Sequence, residues 1–161
     1  MDNSTIKLHI GRMAKGYRVW TVPLIMVMWD VAFKALGSGN VLIIVKELFS
    51  KPHFIIISIW LIVFGLVFDI YGKLLVNALQ DTENIADISR ITHMHNSMAD
   101  CIIASPAVYY IAKAIVLFYS GGAVFSLSFI ADIHGMVSLL AVYDGIKSVK
   151  GNILIRQQLG F

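Results

Sequence analysis

Long apolar runs separated by short polar segments dominate the chain. A helix needs about 20 mainly apolar residues to cross the hydrocarbon core of a membrane, and four runs approach or reach that length. They cover residues 18–36, 54–79, 101–119 and 122–143. The pattern predicts an all-α membrane protein, a four-transmembrane-helix bundle that forms a single integral membrane domain over residues 1–161.

The connections between these runs differ in character. Val41 to Phe49 is apolar but carries Lys46 and Glu47, and it is too short to cross a membrane as a helix. We interpret it as an interfacial amphipathic turn or helix. Residues 80–96 are polar and are interpreted as a solvated loop. Gly121 and Gly122 predict a tight turn, which would place the third and fourth spans antiparallel and adjacent.

Basic residues flank the apolar region at both ends: Lys7, Arg12, Lys15 and Arg18 before it, and Lys147, Lys150 and Arg156 after it. Because cytoplasmic flanks carry an excess of Lys and Arg, the pattern favours both termini on the same, inner side. A bacterial or mitochondrial inner membrane is the expected location. A three-span alternative stays open, in which the fourth segment lies at the interface because Asp132 and His134 interrupt it.

Composition supports the membrane class. Hydrophobic residues make up 58% of the chain and charged residues 14%, whereas soluble domains are near half apolar and a quarter charged. The net charge of +3, concentrated at the flanks, does not indicate a nucleic-acid partner. The single cysteine, Cys101, excludes an internal disulfide and is typical of a packing residue. No phosphate-binding loop or nucleophile motif is present, so no catalytic residue is predicted and enzyme activity by the chain alone is uncertain.

Ionisable residues occur inside the predicted spans. Asp30 precedes Lys34, and Asp69 precedes Lys73, at the i,i+4 spacing that places both groups on one helical face. Asp144 and Lys147 form a variant at i,i+3, and Lys113 lies at a depth similar to that of Asp30. We interpret these residues as self-neutralising pairs. The alternative is an ion or proton pathway through Asp30 and Asp69, because charges at membrane depth commonly mark such pathways.

The fourth span carries small residues at alternating steps of three and four. We call Ala131, Ser138, Ala141 and Gly145, with His134 among them, the small-residue stripe. Helices in lipid associate through close backbone approach and interhelical hydrogen bonds. The stripe therefore predicts helix packing rather than a wide pore.

His134 has several possible roles at mid-span. It can donate or accept a hydrogen bond between helices, contact a haem or a quinone, or relay a proton. The run Phe125-Ser126-Leu127-Ser128-Phe129, followed by His134 and Asp144-Gly145, resembles the second helix of the large cytochrome-b anchor subunit of succinate dehydrogenase. Ile91-Thr92-His93 resembles the start of the first helix in that family. The resemblance implies a haem b or quinone contact at His134.

A metal site is not predicted. His93 and His95, near Asp87 and Asp100, are separated by two positions and would point apart on a helix. They also lack a definite third ligand.

Three functional hypotheses follow. The first is a non-catalytic subunit that packs within or stabilises a larger membrane protein complex, with lipids and other membrane subunits as its partners. The second is a haem- or quinone-contacting respiratory anchor. The third is a small ion or solute transporter that uses intramembrane aspartates.

Overall fold

A computed structural model describes residues 19–38, 40–80 and 85–159, without the side chains of residues 38, 79–80, 85–86 and 150–159. This part of the chain is all-helical. Its six helices are α1 (Thr21–Ser38), α2 (Val41–Phe49), α3 (Pro52–Gln80), α4 (Ile85–Ile103), α5 (Ser105–Tyr119) and α6 (Leu127–Leu159). Most of the basic flank lies outside the described residues: Lys7, Arg12, Lys15, Arg18 and the side chains of Lys150 and Arg156.

Two of the described helices are long and apolar enough to cross a membrane, over Pro52–Ala78 and Leu127–Val149. The pair Asp87–Ile103 and Ser105–Tyr119, which bends by 45°, makes a third if it is counted as one span. An all-α membrane protein is therefore a plausible class. The four predicted spans are not confirmed, because α1 is not among these helices.

The chain forms two compact units that divide between Gly122 and Ala123. In the first unit α3 packs against α2, α4 and α5, while α1 packs against α2, α4 and α5. A buried cluster of Val19, Phe68 and Ile102 lies in its core. The indole N–H of Trp60 donates to the Cys101 carbonyl at 3.0 Å and joins α3 to α4. In the second unit the Phe129 N–H donates to the Ser126 hydroxyl at 3.2 Å, at the start of α6.

The short helix predicted over Val41 to Phe49 is confirmed as α2. The Asn40 side chain caps it by accepting from the Leu42 N–H at 3.2 Å. Ile44 and Leu48 are buried, whereas Leu42 and Phe49 are exposed. The helix therefore buries one face and exposes the other, although most of its residues are apolar.

The prediction of a polar loop over residues 80–96 is wrong for residues 85–96, which belong to α4. Ile88, His95 and Ile102 are buried at seven-residue intervals, which repeats one face of a helix every two turns. Asp87 and Arg90 are exposed on other faces. The polar residues thus form the outer surface of an amphipathic helix rather than a loop.

The third predicted span is broken at Ala104, where α4 ends and α5 begins. Pro106, in the first turn of α5, has no N–H to donate to the carbonyl of residue 102. The link after α5 is also longer than the predicted turn of two or three residues, since α5 ends at Tyr119 and α6 begins at Leu127. Gly121 ends α5 with a φ of 72°, a conformation that glycine adopts without the strain of a side chain.

Candidate functional site

A buried charge cluster lies where α1 meets α5. Asp30 is 2% exposed, and its two carboxylate oxygens accept from different lysines. Lys34 Nζ on the same helix is 2.6 Å from Oδ2, and Lys113 Nζ on α5 is 3.3 Å from Oδ1. We call Asp30, Lys34 and Lys113 the Asp30 cluster. The i,i+4 spacing predicts the first contact, but nothing in the sequence places Lys113 on the same carboxylate.

Aromatic rings surround the α5 side of this cluster. Lys113 Nζ lies 5.6 Å from the ring centroids of both Tyr109 and Tyr110, within the range of a cation–π interaction. The buried Tyr109 ring also meets His53 of α3 edge-on, with the centroids 5.3 Å apart. The cluster and its aromatic neighbours therefore connect α1, α3 and α5.

His53 is a buried residue that the sequence interpretation placed outside the spans. It is 6% exposed, and neither ring nitrogen has a hydrogen-bond partner among the described residues. One sequence signal could have placed His53 inside the second span: it directly follows Pro52, at the start of the most apolar run. Burying the two unpaired nitrogens costs stability. The favourable contribution of His53 to the fold therefore comes from the packing of its ring against Tyr109.

The geometry of the Asp30 cluster suits a structural link that holds α1 and α5 together. Two ammonium groups already hold both oxygens of the carboxylate. To bind a transported cation or proton, Asp30 would have to give up at least one of them. Breaking a buried ion pair leaves an uncompensated charge and is strongly unfavourable, so these contacts favour the structural interpretation of Asp30.

The second acid–base pair has the opposite surroundings. Lys73 Nζ is 2.8 Å from Asp69 Oδ2, but the two side chains are 75% and 64% exposed. Both lie on α3, within the candidate span Pro52–Ala78. Among the described residues, the ion pairs of the Asp30 cluster therefore lie in the interior and the Asp69–Lys73 pair lies on the surface of an apolar helix.

His95 is buried between α3 and α4, although the sequence placed it in a loop. Its ring stacks on Phe68 with the centroids 4.2 Å apart, and a Cβ added at Gly72 would lie 3.5 Å from its Nε2. His93, two positions away, is exposed. Among the described residues no group of three or more His, Cys, Asp or Glu side chains is arranged to hold a metal.

The candidate residues of α6 lie in the second unit and are exposed: His134, Ala131, Ser138, Ala141, Asp144, Gly145 and Lys147. A Cβ added at Gly145 would meet no described atom within 4 Å. Asp144 and Lys147 form no ion pair in the part of the chain described. The small-residue stripe and the role of His134 stay predictions.

Comparison with known proteins gives no relative: no protein-family model, no curated protein and no solved structure matches the chain. The resemblance of the segment around His134 to a cytochrome-b anchor therefore rests on its own residues.

Proposed function

We propose that this protein is a non-catalytic multi-pass membrane subunit that packs within, or stabilises, a larger membrane protein complex. The observation that supports the proposal is the exposed Asp69–Lys73 ion pair on α3. In water such a pair would need no explanation. On a membrane-spanning helix it calls for a polar neighbour.

Asp69 lies at a depth where its carboxylate cannot reach the headgroups. The span Pro52–Ala78 has 27 residues and is about 40 Å long, some 10 Å more than a hydrocarbon core of about 30 Å. If both ends project equally, Asp69 lies about 8 Å inside the core. Lys73 lies one turn closer to the surface and can extend towards the headgroups, but the shorter Asp69 cannot.

A helix of a partner subunit would supply hydrogen-bond donors to the Asp69 carboxylate. Within hydrocarbon the unused lone pairs of the Asp69 carboxylate have no donor, and polar groups on a neighbouring helix supply one. In the proposed arrangement α1, α3, the bent pair α4–α5 and α6 form the four spans. Both termini lie on the inner side of a bacterial or mitochondrial inner membrane, and the Asp69 face of α3 contacts another subunit.

The test is the size of the assembly that contains the full chain, extracted from its native membrane in mild detergent. The proposal expects a discrete complex much larger than the 17.9 kDa chain. Replacing both Asp69 and Lys73 with leucine should release the chain from that complex. Leu74→Ala is the matched control, since Leu74 is also exposed but lies about 140° around the helix from Asp69. Retention of the double variant in the complex would contradict the proposal, and so would equal release of the control.

A haem- or quinone-contacting anchor is the alternative, and the exposure of His134 on a candidate span favours it. The described residues of the first unit do not fit a haem held by two histidines. His53 lies at one end of α3, and His95 contacts Phe68 and Gly72 further along, so the two are separated by more than 20 Å along the helix. No other histidine lies among the described residues of the second unit, so a haem at His134 would need its second ligand from outside those residues. A purified complex without a Soret band would rule out the haem version.

A further inference from the structure

An open cleft lies at the junction of α2 and α3, and no residue of the Asp30 cluster or of the Asp69–Lys73 pair lines it. Its volume is about 520 Å³, and it is lined by Ile43, Lys46, Glu47, Ser50 and Lys51. The Ser50 hydroxyl donates to the Lys46 carbonyl at 3.1 Å, which fixes the turn between the two lysines. Neither lysine forms an ion pair with any residue that the structure describes.

The position of this cleft along the membrane normal follows from the span that begins beside it. Lys51 directly precedes Pro52, the first residue of the span Pro52–Ala78. That span is about 10 Å longer than the hydrocarbon core, so its ends reach the headgroup layer. With α3 crossing the membrane as proposed above, the cleft lies at the level of the lipid phosphates, whichever side of the membrane it occupies.

The surface next to the cleft is apolar. Leu42 and Phe49 of α2 are 83% and 61% exposed, and Ile43, which lines the cleft itself, is 54% exposed. A short helix with exposed apolar side chains and a nearby lysine pair matches the arrangement of interfacial helices, which bury apolar residues at the acyl boundary and attract anionic lipids.

We propose that this cleft binds the headgroup of an anionic membrane phospholipid, with Lys46 and Lys51 on either side of the phosphate. The two lysines and Glu47 carry one net positive charge, which complements the single negative charge of phosphatidylglycerol. Glu47 provides an acceptor for a headgroup hydroxyl. Ile43 and the exposed apolar residues of α2 contact the acyl chains. A zwitterionic headgroup such as phosphatidylcholine lacks the net charge that this set of residues favours.

The experiment uses the full chain in phosphatidylcholine nanodiscs that contain a small fraction of spin-labelled phosphatidylglycerol. The immobilised fraction of the label, relative to labelled phosphatidylcholine, measures the preference of the protein. We expect a preference for phosphatidylglycerol that falls about fivefold with each of Lys46→Gln and Lys51→Gln. Arg90→Gln removes an exposed cation on α4 of the same unit. The contacts of Trp60 with Cys101 and of Phe68 with His95 place Arg90 more than about 25 Å along α3 from Lys51, so screening should leave the preference within about twofold of the unmodified protein.

A second variant separates the cleft from diffuse surface charge. Ile43→Trp leaves every charge in place but fills part of the cleft, and it should lower the preference by at least as much as either lysine variant. An unchanged preference in this variant, or an equal loss in Arg90→Gln, would overturn the proposal. Displacement of the labelled lipid by millimolar inorganic phosphate would also overturn it, because the ligand would then be a free anion rather than a lipid.

Discussion

Asp30 and Asp69 are both acids within apolar helices, and their surroundings give them different roles. The Asp30 side chain is 3% exposed and is held by two lysines from two helices. The Asp69 side chain is 64% exposed and is paired within its own helix. We therefore expect Asp30 to stabilise the fold of the first unit and Asp69 to stabilise association with a partner.

Replacing Asp30 with asparagine separates these roles. Asp30→Asn leaves Lys34 and Lys113 beside a neutral amide and should lower the free energy of unfolding by about 3 kcal/mol. Asp69→Asn, the matched control, should leave the unfolding of the isolated chain unchanged but weaken the complex. Thermal unfolding followed by circular dichroism in detergent measures the first effect, and size-exclusion chromatography measures the second. If Asp30→Asn abolished ion flux in proteoliposomes without lowering the stability, Asp30 would belong to a transport path instead.

His53 provides a second test at the residue scale. His53→Phe keeps an aromatic ring against Tyr109 and removes two ring nitrogens that have no partner among the described residues. We expect the free energy of unfolding to rise by about 1 kcal/mol. His53→Ala should lower it by about 2 kcal/mol, because the ring contact is lost. Equal destabilisation by both substitutions in thermal unfolding would show that the nitrogens themselves are needed.

At the scale of helices, α3 depends on a close approach at Gly65. A Cβ added there would lie 2.5 Å from the Trp20 ring, so Gly65→Ala must displace that ring or separate the segments. Alanine also favours a helix at Gly65, but we expect the overpacking against the Trp20 ring to outweigh that gain and to lower the free energy of unfolding by about 1 kcal/mol. Gly37→Ala is the control, because an added Cβ there meets nothing within 4 Å and alanine favours a helix. The two substitutions should shift the thermal midpoint in opposite directions, and equal shifts would refute the close contact.

The sequence interpretation finds helices whose apolar residues are mostly contiguous and misses a helix whose apolar residues are spaced along one face. α2 and α3 are continuous apolar runs, and their predicted ranges agree with the structure within two residues. α4 is amphipathic, and an interpretation based on uninterrupted runs took it for a loop. The buried positions Ile88, His95 and Ile102 would have identified it by their seven-residue spacing. The bend at Ala104 was also missed, although Pro106 signals it.

At the scale of the whole molecule, the contacts that a charged residue makes within its own helix can be predicted from the sequence. Its contacts with other helices cannot. The spacing of Asp30 and Lys34 predicts their proximity on one helical face. The approach of Lys113 to Asp30 joins residues 83 positions apart, and the contact of Tyr109 with His53 depends on how α3 and α5 pack. No local pattern carries that information. The difference between a buried and an exposed pair therefore emerges only when the helices are assembled.

The number of spans is a property of the whole molecule and determines on which side of the membrane α6 ends. Four spans place Ala123 on the outer side and Ser148 on the inner side, whereas the three-span alternative leaves both outside. Both residues are exposed, so each can carry a single cysteine in a Cys101→Ser background. A membrane-impermeant maleimide applied to intact cells or right-side-out vesicles should label Ala123→Cys at once. It should label Ser148→Cys only after permeabilisation. Immediate labelling at both positions would show that α6 does not cross the membrane and would place the exposed Asp144 and Lys147 on the outer surface, where the charges need no membrane partner.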